Sequence, residues 1–132
     1  MARRRVLSAA AKLAAQRLKL EFGSLGRLRT SGSEFEFSIP APAGSRAGHL
    51  IAFSNGDDLW VRFAPPRLCY CLDDADGMLS IMRQLMADQV VFKVVMKGTA
   101  WLETTLVRPP HKVRAQPGQR VRLVSWSGNF DN

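Results

Sequence analysis

Histidine and cysteine are scarce in this chain, two of each among 132 residues, and their scarcity removes most catalytic chemistry. A zinc site needs about four converging ligands, usually as spaced pairs. Cys69 and Cys71 form only a single Cys-Tyr-Cys, with no second pair to complete a site. Their spacing puts both on one face of a strand, where a mutual disulfide would be strained, so two reduced thiols are expected. His49 opens an apolar stretch and His111 follows Pro109-Pro110. Both read as surface positions rather than bases beside a nucleophile, and nothing local ties His49 to Cys69.

Phosphate-binding glycine motifs are also missing: the chain has neither G-x-x-x-x-G-K nor G-x-G-x-x-G. "DDADG" (73–77) looks like a fragment of a calcium loop. Placing Gly77 at the sixth position puts Leu72 first and Arg83 twelfth, where acidic ligands belong. The stretch fits an acidic helix start instead, and Asp57-Asp58 fits a turn. No metal or cofactor is implied, and the chain is expected not to be an enzyme. No apolar run approaches the roughly 18 residues of a spanning helix, and no secretory cleavage pattern follows the first residues. The expectation is a cytoplasmic protein with no membrane partner.

What the sequence has in excess is positive charge at its two ends. The net charge is +8, and it is segregated. Residues 1–29 hold eight Lys/Arg against one acid, residues 30–107 six against nine, and residues 108–132 five against one. Such ends suit phosphates or an acidic partner. The candidate phosphate contacts are Arg3, Arg4, Arg5, Lys12, Arg17 and Lys19 at one end and Lys112, Arg114, Arg120 and Arg122 at the other. No helix-turn-helix, zinc-finger or RNA-recognition signature accompanies them.

The first twenty residues pose three alternatives: a targeting peptide, a binding arm, or a helix of the fold. Six alanines precede position 16, and Leu7, Ala10, Ala11, Ala14, Leu18 and Phe22 recur at helical spacing. With only one serine in the first twenty residues, a structural helix over 5–22 is the favoured reading. "GSLGRLRTSGS" (23–33) reads as a loop. "EFEFSI" (34–39) alternates like a half-buried strand. "HLIAF" and "LWVRF" flank Asn55-Gly56, a strong hairpin signal. Leu59, Val61 and Phe63 then face the core, with Trp60 and Arg62 outward. Residues 72–89 read as a second helix capped by Asp73 or Asp74, with Met78, Ile81, Met82, Leu85 and Met86 as its apolar stripe. "VVFKVVMKGTAWLETTLV" breaks at Lys97-Gly98 into a second hairpin, and residues 119–126 can supply a last strand.

The order α-β-β-β-α-β-β, with an optional final β, predicts a two-layer α+β fold. Two helices would cover one antiparallel sheet of five to six strands. One domain spans 1–132, with fraying expected at 1–4 and 127–132. Its core should contain Phe35, Phe37, Val61, Phe63, Ile81, Leu85, Phe92 and Val94. This element order is similar to that of small secretion-chaperone domains, which hold other proteins without doing chemistry, although those are usually acidic. Compact immunity-type proteins that block one partner suit the same absence of catalytic signature. The leading expectation is therefore a protein-binding module, its partner another protein or a second copy. Trp60, Arg62 and Trp101 would form its contact surface on the outer sheet face. The alternative is a nucleic-acid-binding protein that uses the basic ends.

Overall fold

The chain is described here from a computed structural model, which covers residues 6–132. Ser8 starts the first helix, α1 (Ala9–Phe22). Its hydroxyl accepts from the Ala11 N–H at 3.1 Å and satisfies one of the orphan donors of the first turn. Ala11, Ala14, Ala15, Leu18 and Phe22 are buried. The face is rotated slightly from the expected one, since Ala15 replaces Ala10.

Five strands follow: β1 (Arg27–Ser31), β2 (Glu34–Pro40), β3 (His49–Asn55), β4 (Asp58–Phe63) and β5 (Cys69–Leu72). They form one antiparallel sheet in chain order. The helix α2 (Ala75–Met86) comes next, then β6 (Val91–Lys97), β7 (Ala100–Val107) and β8 (Gln119–Val124), which make a second sheet ordered β7-β6-β8. The α+β class stands. The single sheet of five to six strands does not: there are two sheets, of five and three strands, and the order is α-β-β-β-β-β-α-β-β-β.

Two strands account for the difference. Residues 27–31, expected in a loop, form β1, because Gly32 at φ +59° closes a two-residue hairpin with Ser33 onto Glu34. Gly56-Asp57 and Gly98-Thr99 close two further two-residue hairpins in the same way, glycine first with φ near +60°. Glycine at that position accepts the positive φ that matches the twist of the flanking strands. The hairpin expected at Asn55-Gly56 thus forms one residue later, and Asn55 stays in β3. The second unexpected strand, β5, is a four-residue edge that continues past the Pro65-Pro66 break.

Asp74 caps α2 through its side chain, which accepts from the Gly77 N–H at 2.7 Å. The buried stripe is Ala75, Met78, Leu79, Met82 and Leu85. Leu79 takes the central place expected of Ile81, and Ile81 and Met86 lie at its margin. Both helices pack on the same side of the five-stranded sheet, α1 against β2 and α2 against β4 and β5. Arg17–Asp76 and Arg83–Glu21 ion pairs join the two helices at the surface. The Glu21 carboxylate accepts from Arg83 Nε at 2.9 Å, and this hydrogen bond strengthens the protonated guanidinium.

One cluster of buried side chains draws on both helices and both sheets. The expected core residues Phe35, Phe37, Val61, Phe63, Leu85, Phe92 and Val94 all belong to it; Ile81 only borders it. Phe63, at the end of β4, meets Phe92 of β6 edge-on with ring centroids 4.9 Å apart and lies 6.0 Å from the Trp126 ring. The segment 127–132, expected to fray, is hydrogen-bonded. Asp131 accepts from the Ser125 N–H at 2.6 Å, and Asn132 bonds to β8. Fraying of residues 1–4 falls outside the described residues.

Leu85 is fully buried and Ile81 is marginal, so their truncations should differ. Leu85→Ala is expected to cost about 2–5 kcal/mol and Ile81→Ala about 1 kcal/mol, because only the first leaves a closed cavity. Denaturant unfolding of the two variants checks this, and equal costs would mean the inner face of α2 is misplaced.

Candidate interaction surface

Strand alternation gives the five-stranded sheet two unlike faces. Phe35, Phe37, Ile39, Leu50, Ala52, Leu59, Val61 and Phe63 point under the helices. On the opposite face, the strand registers align two rows of side chains. One runs Arg29, Glu36, Phe53, Trp60, Cys71, and the other Arg27, Ser38, Ile51, Arg62, Cys69. No helix lies on this side among the described residues.

The middle of this face is apolar. Phe53 and Trp60 are cross-strand neighbours whose rings stack at 6.4 Å with planes 10° apart. Such pairs stabilise a sheet modestly and give a rigid aromatic platform. Ile51, beside Arg62, is only 7% exposed despite facing outward, because its neighbours close over it. Two shallow concavities flank the platform. One, of about 550 Å³, runs from Arg29 and Glu36 across Ile51 and Phe53 to Arg62. The other, of about 280 Å³, lies between Trp60, Pro65, Pro66 and Arg67. Phe53 and Arg62 line both. Arg62 is half-buried and has no carboxylate within ion-pair distance among the described residues.

Of the three residues expected to make this surface, Trp60 and Arg62 lie on it together. Trp101 does not share the face. It sits on β7 in the other sheet, 42% exposed, with its indole N–H donating to Thr104 Oγ1 at 2.9 Å. Its link to the platform is Arg67, whose guanidinium stands 4.8 Å over the Trp101 ring while the residue also lines the second concavity. Sequence reasoning missed Arg67 and Phe53. The alternation of β3 could have given Phe53; nothing local gives Arg67, whose position depends on the turn after Pro65-Pro66.

Among the described residues the candidate phosphate contacts lie on α1, on the loop 108–118 and on β8. Lys12 and Lys19 are exposed on α1, against the five-stranded sheet, whereas Arg120 and Arg122 are exposed on β8 of the other sheet. Lys112 and Arg114 lie in the loop 108–118, where Arg114 borders a separate concavity with Lys93 and Glu103. Arg17 is engaged by Asp76 and is structural. Arg3, Arg4 and Arg5 lie outside the described residues.

His49 is exposed, its Nδ1 3.4 Å from Ser38 Oγ. The strand β4 separates it from Cys69, which puts the two on the order of 10 Å apart or more. Among the described residues no group of three or more His, Cys, Asp and Glu side chains converges as a metal site would require, and no helix is long and apolar enough to cross a membrane. No protein-family model, curated protein or solved structure matches the chain.

Both cysteines are free and share the outer face at its β5 edge. Partial withdrawal of the Cys71 sulfur from water pushes its thiol up, and the carboxylates of Asp58 and Asp73 push it the same way. A raised pKa means less thiolate at a given pH below it, so Cys71 should alkylate more slowly near pH 8 than an ordinary exposed cysteine. Asp58→Asn and Asp73→Asn should each speed it. A rate–pH profile measured with iodoacetamide checks this, and a Cys71 rate above that of a model thiol would contradict it.

Proposed function

We propose that the protein is a non-enzymatic binding module that holds another protein on the uncovered face of its five-stranded sheet. It would act as a small immunity-type or chaperone-type protein does, by occupying a partner rather than transforming it. The observation that carries this reading is the rigid Phe53–Trp60 stack beside Arg62, whose guanidinium has no carboxylate partner among the described residues, on the sheet face that no helix covers. Aromatic and arginine anchors at the centre of a patch supply most of the binding energy in protein interfaces. Phe53, Trp60, Arg62 and Arg67 are the contact residues, with Trp101 at the margin through Arg67. Two free thiols on this face, one of them exposed, fit a reducing, cytoplasmic setting. Among the described residues, the lysines of α1 lie on a different element from the cations of the 108–118 loop and β8, which favours the protein-binding reading over the nucleic-acid one.

The test is affinity capture from the source cells with four proteins: wild type, Trp60→Ala, Arg62→Glu and a Lys12→Glu/Lys19→Glu double variant. Side chains on the solvent side should leave the unfolding midpoint within about 1 kcal/mol of wild type. A bound protein should be recovered by the wild type and the lysine variant, and lost by the other two. Truncating a central tryptophan should cost about 2 kcal/mol or more of binding, some thirtyfold in affinity. Recovery that is sensitive to nuclease and lost only in the lysine variant would overturn the reading in favour of nucleic acid. A dimer by sedimentation that Arg62→Glu dissociates would identify the partner as a second copy.

A further inference from the structure

Among the described residues two sheets have four terminal strands, and three of those strands meet another part of the chain at or beside the outer edge. Along β8, the outward Leu123 N–H donates to Asn132 Oδ1, and Asn132 Nδ2 donates to the Val121 carbonyl, each at 2.7 Å. The Asn132 amide thus stands in for one peptide group of an added strand. The terminal strands β5 and β7 lie near one another, and in the turn before β5 the Arg67 carbonyl accepts from Thr104 Oγ1–H of β7 at 2.6 Å. That leaves β1.

The register shows which groups β1 leaves free. A two-residue hairpin at Gly32-Ser33 closes on Ser31 and Glu34, so Ser31, Arg29 and Arg27 exchange hydrogen bonds with β2. Leu28 and Thr30 then direct their N–H and C=O groups away from the sheet, and neither has a partner across that edge among the described residues. Four of the five residues are exposed, and Leu28 is half-buried. An open edge of this kind is a template for an added strand.

We propose that β1 accepts an extended acidic segment of a partner protein as a sixth strand. Charge decides the occupant. Arg27 and Arg29 alternate along β1 on one face, and neither is in an ion pair among the described residues. An incoming strand with carboxylates at every second position places them opposite both arginines while its backbone pairs with Leu28 and Thr30. A second copy fits poorly. The antiparallel register that satisfies all four outward groups sets Arg29 directly against the Arg29 of the copy, a like-charge pair. The net charge of +8 favours the acidic segment further. Arg29 borders the concavity that reaches Arg62, but the added strand pairs with the backbone of Leu28 and Thr30 and needs no contact with Trp60.

Amide hydrogen exchange by NMR tests it with two blocked peptides as probes, one alternating Glu and Val, the other Lys and Val. Exchange of the Leu28 and Thr30 amides should slow by about tenfold or more with millimolar Glu-Val peptide and be unchanged by Lys-Val peptide. The Arg27→Glu/Arg29→Glu variant, whose exposed side chains leave the fold's core untouched, should invert that preference. Three outcomes would overturn the proposal: no slowing with either peptide, equal slowing with both, or amides already protected in a free protein that sediments as a dimer.

Discussion

The fold depends on where Phe63 ends. It is the last residue of β4, fully buried, and its ring is shared between the two sheets through Phe92 and Trp126. The β5–β7 contact, the tail and the other members of the shared cluster add to that junction in holding the three-stranded sheet. The edge-to-face contact itself is worth about 1 kcal/mol. Burial of the rings is the larger contribution, about 2–3 kcal/mol for each aromatic withdrawn from water. The tail is anchored in turn: Ser45 Oγ donates to the Trp126 carbonyl at 2.8 Å, and Arg46 pairs with Asp131 at 3.3 Å.

This junction settles what the other side of the five-stranded sheet can be. The helices and the second sheet compete for one face, and that face is full: Phe35, Phe37, Leu50, Val61 and Phe63 are each 2% exposed or less. Nothing remains of the described chain to cover the opposite face, which nonetheless carries Phe53, Ile51 and Trp60. An antiparallel sheet tolerates one solvated face, and such a face is normally polar. Aromatic side chains there, with arginines on either side, are the departure from that rule. Part of the positive charge is structural, since Arg17 and Arg83 bind the helices together.

Much of the core was legible because alternation is a local signal. "EFEFSI" and "LWVRF" assign inward and outward residues without reference to anything distant, and both faces came out as read. β1 was hidden because "RLRTS" has no buried alternation: it is an edge strand whose only signal is the glycine-first turn that follows it. The division into two sheets was hidden for a different reason. Which strands hydrogen-bond across a helix such as α2 is decided by packing around Phe63, not by propensity. Trp101 was misplaced for that reason, because its strand belongs to the other sheet, and Arg67 reaches the surface only through a turn that positive φ shapes.

Both sheets share one core, and that core holds the outer face rigid. Native-state hydrogen exchange measures this directly. The slowest amides of β3 and β4 and those of β6 should exchange with the same free energy, equal to that of global unfolding. Phe63→Ala should lower all of them together by about 3–5 kcal/mol. If the β6 amides exchange through a separate opening of lower energy, and Phe63→Ala leaves β3 and β4 unaffected, the two sheets are independent units and the account is wrong.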